Sequence, residues 1–459
     1  MKPTGYFLIK SGHLIDPAQD WDFRSDILIK DGEITVSGCN IDEDSLEQGF
    51  TTIDASGLVV SPGFIDIHAH LREPGFEYKE TIASGTKAAA KGGFTTISCM
   101  PNTDPPIDNV SVVNFIHDRA RSDGVVRVLP IGCVTKGRLG KELADMEELA
   151  SAGVVAFSDD GDPVYDPLVM QLALSYSGDL QLPISNHCQD HNLSRGGVMA
   201  EGRVATRLGL PGIPAAAEEA MIARDIALAS VTGGRLHIAH LSTAGSVALV
   251  HNALEQGIPV TSEVCPHHLC ITDKWVFGNN GTYTETAGPF SYDTSTKVYP
   301  PLRSDEDVEA LIQGLEKGII PCIATDHAPH DIASKQVTYE DASFGISVFE
   351  TALGSLMGLV HSGRLSLPAL VERLTTGPAQ VLGPKFHKFA TLAANTPADI
   401  VIFDPDNSWV VDVNEFESKG KNTPLAGCTL KGQVLGTLVQ GEIVFQKSEF
   451  LERVQEVGR

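Results

Sequence analysis

The sequence predicts a parallel (β/α)8 barrel with a smaller β-strand domain assembled from both ends of the chain. Three observations predict this fold class. Apolar, β-branched runs separated by helix-like segments recur roughly every 25 to 35 residues through the middle of the chain. Short β-prone runs without intervening helices occupy both ends. The length of 459 residues is too great for one ordinary compact domain and suits a large barrel plus a smaller unit.

Eight apolar runs are expected to form the barrel strands. They lie at residues 63–70, 94–100, 126–131, 154–157, 182–187, 236–240, 258–264 and 319–325. Segments between them, such as 79–91, 215–230 and 306–317, have helical patterns. Buried parallel strands that alternate with helices are typical of α/β folds, and eight units favour closure into a barrel. A doubly wound open sheet is the alternative, but no glycine-rich dinucleotide fingerprint follows any strand.

The two ends of the chain are expected to share one β-sandwich, because neither end holds enough strands for a core of its own. The β-prone runs lie at residues 6–9, 26–29, 33–36, 399–403, 434–439 and 442–445. Asp31-Gly32 is a hairpin signal between the second and third runs. We therefore place the sandwich domain in residues 1–60 and 389–459, and the barrel in residues 61–388.

Charge and composition exclude some classes of partner. Acidic residues number 59 and basic residues 34, which gives a formal net charge of −25. Such a surface repels phosphate backbones, so nucleic acid is not an expected partner. No signal peptide and no membrane-spanning apolar run is evident, so a cytoplasmic location away from the membrane is expected. The eight cysteines are scattered and are expected to be reduced and mostly buried.

His68 and His70, at the end of the first barrel strand, are the first indication of chemistry. Alternation along a strand puts both side chains on one face, where both can reach one metal ion. An HxH pattern alone is equally consistent with surface or capping histidines. Polar residues also follow other predicted strands, namely Asp159, Asp160, His187, His240 and Asp326. In a barrel these strand ends meet at one mouth, so together they predict a metal centre.

The kind of ligand indicates the kind of metal. Imidazole and carboxylate groups suit zinc, with manganese, cobalt or iron as substitutes. Six ligands exceed the need of one tetrahedral ion with an open position, so one or two Zn²⁺ per chain are expected, and a bridged pair fits best. Long segments at 265–303 and 328–344 follow the seventh and eighth strands, on the face where loops line a site.

Sequence elements around these residues resemble the bacterial-type dihydroorotase family of the amidohydrolase superfamily. They are GFIDIHAHLREPG at 63–75, GGFTTISCMPNT at 92–103, SDDG at 158–161, NH at 186–187, AHL at 239–241, CPHHL at 265–269 and TDHAPH at 325–330. The resemblance covers essentially the whole chain, and the HxHxREPG and PNT elements are specific within the superfamily. It implies a metal-dependent hydrolase barrel with a split β-sandwich. It also implies reversible hydrolysis of dihydroorotate to N-carbamoyl-aspartate in pyrimidine synthesis.

The resemblance implies metal-binding roles. His68, His70 and Asp326 would hold one ion, and His187 and His240 the other. Many relatives bridge the two ions with a carboxylated lysine from the fourth strand, but residues 154–161 contain no lysine. An aspartate is therefore expected to bridge. The ungapped match to the family pattern selects Asp160, with Asp159 as the alternative.

Asp326 is implied to have a second role. As general base it would take a proton from the bridging water, which then becomes a metal-bound hydroxide. It would later deliver that proton to the leaving ring nitrogen. The plainer alternative is that Asp326 only caps the next helix, at Asp-His-Ala-Pro.

A further set of residues is implied to bind the substrate. These are His70, Arg72, Asn102, Tyr299, His330, Phe344 and Gly345. Arg72 offers a guanidinium to the carboxylate that dihydroorotate carries and that hydantoin and allantoin lack. The alternative for Arg72 is a surface salt bridge with Glu73 or Asp104. The backbone of Phe344-Gly345 is expected to contact the pyrimidine ring.

Tyr299 departs from the family pattern, which commonly has asparagine before the Pro-Pro-Leu-Arg element. A phenol cannot reproduce the donor and acceptor pair of an amide. His267 and His268 are expected to support the site or the fold rather than bind metal, and Cys188 is expected to be a buried thiol.

Two other functions stay open at this point. One is a related hydrolase of hydantoin, dihydropyrimidine or allantoin, against which Arg72 and Asn102 argue. The other is a catalytically silent scaffold for aspartate transcarbamoylase, although every expected ligand is present. Beyond a small-molecule substrate, a homodimer and an association with aspartate transcarbamoylase are the partners that the resemblance implies.

Overall fold

A computed structural model describes residues 5–282 and 286–456. Five strands at the N-terminal end are β1 (Phe7–Asp16), β2 (Trp21–Lys30), β3 (Glu33–Cys39), β4 (Thr51–Asp54) and β5 (Val59–Pro62). The middle of the chain contains β6 (Phe64–Ala69), β7 (Phe94–Cys99), β8 (Arg127–Pro130), β9 (Ile184–Asn186), β10 (Met199–Ala200), β11 (Gly212–Ile213), β12 (Leu236–Ile238), β13 (Val260–Val264) and β14 (Cys322–Ile323). The C-terminal strands are β15 (Ile400–Val410), β16 (Thr429–Val439), β17 (Glu442–Gln446) and β18 (Val454–Glu456).

Helices separate the strands of the middle segment. They are α1 (Ile82–Lys91), α2 (Val110–Asp123), α3 (Met146–Ala152), α4 (Pro167–Leu180), α5 (His191–Ser194), α6 (Arg203–Leu208), α7 (Ala216–Thr232), α8 (Ala244–Glu255), α9 (Pro266–Cys270), α10 (Asp305–Glu316), α11 (Ile332–Lys335), α12 (Ala352–His361), α13 (Leu367–Leu374), α14 (Thr376–Leu382) and α15 (Ser448–Leu451). Many begin at a side-chain cap. Asn109, for example, accepts hydrogen bonds from two backbone amides in the first turn of α2.

The parallel strands of the middle segment close into a barrel. β6, β7 and β8 pair in one group, and β9, β12, β13 and β14 in another. Phe157 joins the groups, because it forms parallel bridges to Gly132 on one side and Ile184 on the other. Ala69 and His327 form a parallel bridge between the first and last strands. This closure excludes the open-sheet alternative and confirms the predicted barrel.

The fourth predicted strand, at 154–157, is the one that differs from expectation. It is reduced to the bridges of Phe157, although all four of its side chains are buried. The turn that follows immediately carries two aspartates and Gly161, whose φ of 88° is a left-handed conformation that favours glycine. The long segments after β13 and β14 also hold short helices, α9 and α11, that the sequence did not predict.

Strands from both ends of the chain share one domain, as predicted, and within it they pair into a nine-stranded sheet. Its order is β17-β16-β15-β5-β1-β2-β3, and β4 joins β1 to β18. Asp31 and Gly32, with φ of 53° and 85°, make the expected hairpin turn between β2 and β3. Ile9 and Leu14 from the N-terminal end share a buried core with Ile400 and Leu438 from the C-terminal end. The domain limits at 60/61 and 388/389 stay predictions, and β5 runs through the first of them.

Alternation along β6 positions the first candidate ligands. Ile65 and Ile67 lie in a hydrophobic cluster with side chains of α14, including Ala379. The alternate residue His68 is fully buried and faces the other way, towards β13. The eight cysteines are all free, and five of them are buried. Within residues 5–282 and 286–456, no helix has the length and apolarity to cross a membrane.

Candidate metal centre and active site

Six side chains from five strand ends meet at the mouth of the barrel. We call His68, His70, Asp160, His187, His240 and Asp326 the six-residue cluster. Each of the six is at most 5% exposed. The structure therefore brings together all the residues that the sequence predicts as metal ligands.

One half of the six-residue cluster surrounds Asp326. Its Oδ1 lies 2.9 Å from His70 Nε2 and 3.5 Å from His68 Nε2. Asp160 reaches the same two histidines, at 3.4 Å from His68 Nε2 and 3.5 Å from His70 Nε2. Ligand atoms bound tetrahedrally to one ion at about 2.0–2.1 Å lie about 3.3 Å apart. The observed separations match that spacing.

The other half consists of His187 and His240, which also contact Asp160. Asp160 Oδ1 is 3.5 Å from His187 Nδ1 and 3.6 Å from His240 Nε2, and these two ring nitrogens are 2.9 Å apart. Two imidazoles and one carboxylate oxygen thus converge on one point. Asp160 contacts both halves, which is the arrangement that a bridging ligand requires.

Asp159 is engaged elsewhere. Its Oδ1 accepts hydrogen bonds from the backbone amides of Val134 and Thr135, and its Oδ2 accepts one from the Thr135 hydroxyl. It therefore fixes the loop after β8, while Asp160 faces the cluster. Of the two alternatives, Asp160 is thus the one whose carboxylate lies among the histidines.

Buried polar atoms without partners indicate that the cluster is built for cations. Among the residues that the structure describes, His68 Nε2, His187 Nε2 and Asp160 Oδ1 have no hydrogen-bond partner. Asp160 and Asp326 are buried carboxylates, and an unpaired buried charge is very costly. Nitrogen and oxygen donors at this spacing fit zinc or a similar divalent ion.

The electrostatics favour ionised carboxylates. Burial alone would raise the pKa of Asp160 and of Asp326. The neighbouring histidines, His68 above all, outweigh burial and lower both pKa values. Burial lowers the pKa of His187, which keeps that imidazole neutral and able to donate a lone pair to a metal.

Glu263 is a functional residue that the sequence analysis missed. Its Oε1 accepts a hydrogen bond from His68 Nδ1 at 2.5 Å, and its Oε2 lies 3.1 Å from His237 Nε2. Burial would raise the pKa of Glu263, but His68 and His237 lower it to about 2. The carboxylate is therefore ionised and fixes which nitrogen of His68 faces the cluster. The available signal was a single acidic residue inside the apolar run at 258–264.

A pocket of about 190 Å³ opens above the cluster. Its lining includes all seven residues predicted to bind substrate, His70, Arg72, Asn102, Tyr299, His330, Phe344 and Gly345. We call the last six of these the pocket rim. His70 belongs to the cluster and donates from Nδ1 to Asn102 Oδ1 at 2.9 Å. The rim and the cluster therefore share one cavity.

Arg72 is the cation of the pocket rim. Burial lowers its pKa to about 10, so it stays charged at neutral pH. Its Nε donates to the Pro329 carbonyl at 3.3 Å. Glu73 pairs with Arg119 instead, at 2.9 Å. A surface salt bridge between Arg72 and Glu73 is therefore not its role.

His330 and the 344–345 turn form the far side of the rim. His330 Nε2 donates to the Phe344 carbonyl at 2.7 Å, and Gly345 N donates to the Lys297 carbonyl at 2.9 Å. At Gly345 the φ is 142°, and a Cβ there would lie 2.7 Å from the Ala328 carbonyl oxygen. The turn therefore needs glycine. The Phe344 carbonyl and the Gly345 amide are thus engaged within the protein, and the expected contact of this backbone with a pyrimidine ring stays a prediction.

Tyr299 occupies the wall beside the second half of the cluster. Its ring stacks on His187, with centroids 4.8 Å apart, and its hydroxyl lies 2.9 Å from the Ser194 hydroxyl. Phe344 packs on it at 5.2 Å. The phenol oxygen is thus engaged at Ser194, and the ring is what faces the pocket.

Three residues of the site have left-handed backbone conformations. The φ angles are 63° at Arg72, 33° at His240 and 45° at Asp326. Side-chain-bearing residues rarely adopt positive φ, and such conformations concentrate at functional sites. They aim each side chain inward just after its strand ends.

His267 and His268 lie behind the cluster. With Cys265 they form a separate buried group whose possible ligand atoms lie within 4.8 Å of one another. His268 Nε2 donates to the Pro300 carbonyl at 3.0 Å, and burial lowers the pKa of His267 to about 4. His268 thus holds the segment that carries Tyr299, in keeping with the supporting role expected for it. Cys188 is buried, as expected.

Comparisons with known proteins show what the whole chain is similar to. Residues 57–246 match the family model described as Dihydro-orotase-like. A protein named dihydroorotase from Pelotomaculum thermopropionicum is 50% identical over 441 residues, which cover 96% of this chain and 98% of that protein. Another from Syntrophus aciditrophicus is 46% identical over 441 residues, covering 96% of this chain and 99% of that protein.

A solved structure adds the fold. The L-hydantoinase from Arthrobacter aurescens superposes with a TM-score of 0.83 at 26% identity, and the match covers 96% of each chain. The predicted family and fold class are therefore both confirmed. With relatives at 46–50% identity over nearly its full length, the chain belongs to the dihydroorotase family.

Proposed function

We propose that this chain catalyses the reversible hydrolysis of dihydroorotate to N-carbamoyl-aspartate, a step of pyrimidine synthesis. The observation that carries the proposal is the single cavity that joins the six-residue cluster to Arg72. The cluster supplies the means to open a cyclic amide. The guanidinium supplies a partner for a carboxylate on the ring. The names of the relatives at 46–50% identity support the same reaction.

The six-residue cluster is proposed to hold one or two zinc ions. His68, His70 and Asp326 would bind one, and His187 and His240 the other, with Asp160 between them. Zinc in such a site lowers the pKa of a bound water and polarises the carbonyl to be attacked. Glu263 orients His68 for this role through the hydrogen bond at 2.5 Å.

Asp326 is proposed to move the proton. Its lowered pKa leaves it ionised at neutral pH, so it can accept a proton from the attacking water. The water oxygen bonds to the carbonyl carbon of the ring amide. The carbon–nitrogen bond then breaks, and Asp326 returns the proton to the leaving nitrogen. In the direction of ring closure the same carboxylate assists the loss of water.

The pocket rim is proposed to choose the substrate. Arg72 would bind the ring carboxylate, with Asn102 and His330 beside it. Because the Asn102 oxygen accepts from His70, its amide NH2 group is left to donate to a ligand. Tyr299 is proposed to act through its ring, as a flat wall over His187 against which the substrate ring packs.

The experiment is a side-by-side assay of dihydroorotate, hydantoin and allantoin with metal analysis of the same preparation. We expect turnover of dihydroorotate and roughly one to two zinc ions per chain. Turnover of hydantoin or allantoin without dihydroorotate would contradict the proposal and favour the related hydrolases. Inactivity on all three with metal present would favour the silent scaffold. A homodimer, association with aspartate transcarbamoylase and a cytoplasmic location stay predictions.

A further inference from the structure

The loop after β8 and the turn after the fourth barrel strand are bonded to each other in both directions. The Asp159 carboxylate of the turn accepts hydrogen bonds from the amides of Val134 and Thr135 in the loop. Arg138 of the same loop donates back to the turn. Its Nε and Nη2 lie 3.3 and 3.1 Å from the Asp159 carbonyl oxygen, and its Nη2 lies 2.6 Å from the Asp160 carbonyl oxygen. The two segments therefore fix each other's backbone.

The turn is shaped around the Arg138 guanidinium. At Gly161 the φ is 88°, and a Cβ there would lie 3.2 Å from Arg138 Nη2, closer than most real Cβ contacts. The Asp162 amide donates to the Asp159 carbonyl at 3.1 Å, and Asp162 Oδ2 accepts from Arg138 Nη2 at 2.9 Å. Among the residues that the structure describes, no backbone amide donates to the Asp160 carbonyl. Since Asp160 is buried, its carbonyl depends on Arg138 for a partner.

The loop that carries Arg138 is itself anchored. Arg138 has a φ of 57°, which side-chain-bearing residues rarely adopt. The amide of the preceding Gly137 donates at 2.8 Å to Asp108 Oδ2, from the loop after β7. The Thr135 hydroxyl accepts from the Gly140 amide at 2.9 Å. The Arg138 side chain is only 18% exposed. The guanidinium is therefore held in place before any ligand binds.

Asp160 needs this restraint because its side chain is short. One methylene group joins its carboxylate to the backbone, so the backbone of the turn decides where the two oxygens lie. These oxygens are 3.4–3.6 Å from ring nitrogens of four histidines. Groups that bind a ligand together must be held within about 0.5 Å of the productive geometry. A larger shift of the turn would take the carboxylate away from one half of the six-residue cluster.

We propose that Arg138 is a positioning residue of the metal centre. By holding the carbonyls of Asp159 and Asp160, it keeps the Asp160 carboxylate between the two halves of the six-residue cluster. This inference rests on the proposed function, in which the cluster binds metal. A guanidinium suits the role because its planar fork bonds several acceptors at once, whereas an ammonium is a point charge. Arg138 is not among the residues that line the pocket, so its effect falls on metal binding and not on substrate binding.

The test measures the zinc affinity of the full-length protein by titration with a competing chelator. We expect Arg138→Met to weaken zinc binding about 10- to 100-fold, as loss of an outer partner of a metal ligand does. Arg138→Lys keeps the charge but should also weaken binding, because one ammonium cannot replace the fork. Lys136→Met is the matched control. It removes a cation of the same loop that pairs with the exposed Glu142, so zinc affinity should stay within about twofold.

Steady-state kinetics on dihydroorotate separate positioning from substrate binding. At a fixed low zinc concentration, kcat of Arg138→Met should fall with its zinc occupancy, and added zinc should restore part of it. KM should stay within about twofold of the natural value. A residue that only supports the fold would lower thermal stability without this dependence on zinc.

Several outcomes would overturn the role of Arg138. These are an unchanged zinc affinity in Arg138→Met, an equal loss in Lys136→Met, or a raised KM with unchanged zinc affinity. If circular dichroism shows that Arg138→Met does not fold, Arg138→Lys carries the test. A natural protein that binds no divalent ion would overturn this inference and the proposed function together. If Arg138→Met weakens zinc binding in a protein that does not turn over dihydroorotate, the proposed function alone is contradicted.

Discussion

The six-residue cluster and the pocket rim share a cavity but are built in different ways. The cluster residues follow strand ends, and the barrel fixes them at the buried bottom of the cavity, which we call the floor. Most of the rim residues lie on long loops, and other loops hold them in place. Lys335, for example, donates to the carbonyls of Thr294, Lys297 and Ser343. We infer from this difference that the floor determines which reaction is catalysed, whereas substitutions in the pocket rim can change which substrate is bound.

The largest effect is expected at the floor, from Asp326→Asn. Asparagine keeps a carbonyl oxygen towards the cluster and tolerates the φ of 45°, but it cannot accept the proton. We expect kcat to fall about 10⁴-fold while metal content, measured in parallel, stays within twofold. Asp331→Asn, at the half-buried N-terminal cap of α11, should leave kcat nearly unchanged. A loss of less than tenfold for Asp326→Asn would remove it as the base.

The next effect is expected at the rim, from Arg72→Gln. Loss of a charge-assisted bond to a substrate carboxylate costs about 1.5–3 kcal/mol, so kcat/KM should fall about 10- to 100-fold, mainly through KM. Steady-state kinetics on dihydroorotate measure the split. Arg119→Gln, which removes the ion pairs with Glu73 and Asp123 but leaves Arg72 in place, is the control. An unchanged KM for Arg72→Gln would sink the role proposed for this arginine.

Glu263→Gln tests whether metal affinity at the floor depends on the carboxylate that accepts from His68. The amide can still accept from His68 Nδ1, but the negative charge that polarises this imidazole is lost. Partners of this kind change metal affinity about 10- to 100-fold. Titration with a competing chelator should show that loss. Glu306→Gln, exposed at the start of α10, should show none, and equal affinities in the two variants would contradict the orienting role.

Lys335→Met tests the support of the rim. Burial lowers the pKa of Lys335 to about 7, whereas the unfolded chain titrates at its ordinary 10.5. Between these values the unfolded state binds one more proton, so this group makes stability rise with pH by about 1 kcal/mol per unit. Urea unfolding of both proteins from pH 7 to 9 should show the rise in the natural protein but not in the variant. Parallel curves would contradict the assignment.

The smallest effect is expected from Tyr299→Phe. It removes the contact with the Ser194 hydroxyl but keeps the ring on His187, so kcat/KM should change less than about threefold. Tyr299→Asn, which removes the wall, should change the ratio of rates on dihydroorotate and hydantoin. If Tyr299→Phe is as disruptive as Tyr299→Asn, the hydroxyl and not the ring carries the role.

The barrel and the residues of its floor could be predicted from the sequence because both follow simple periodicities. Alternation along a strand predicts that His68 and His70 share a face, and strand ends meet wherever a barrel closes. The choice between Asp159 and Asp160 came from a family pattern, because periodicity fails in the irregular turn after Phe157. The residues that hold the site in place could not be predicted from the sequence. Glu263 and Lys335 act through partners about 200 and 40 residues away in sequence, which no local pattern reveals.

The bridge between Ala69 and His327 is the seam along which the first and last strands meet. His70 and Asp326 stand on opposite sides of that seam, 256 residues apart in the sequence, and touch at 2.9 Å. A metal ion bound by both side chains would cross-link the first and last strands of the barrel. Such a site cannot exist on a half-assembled barrel, so metal loading would report the last step of folding. Removing the ion would then lower the stability of the closed barrel as a whole before it affected any single strand.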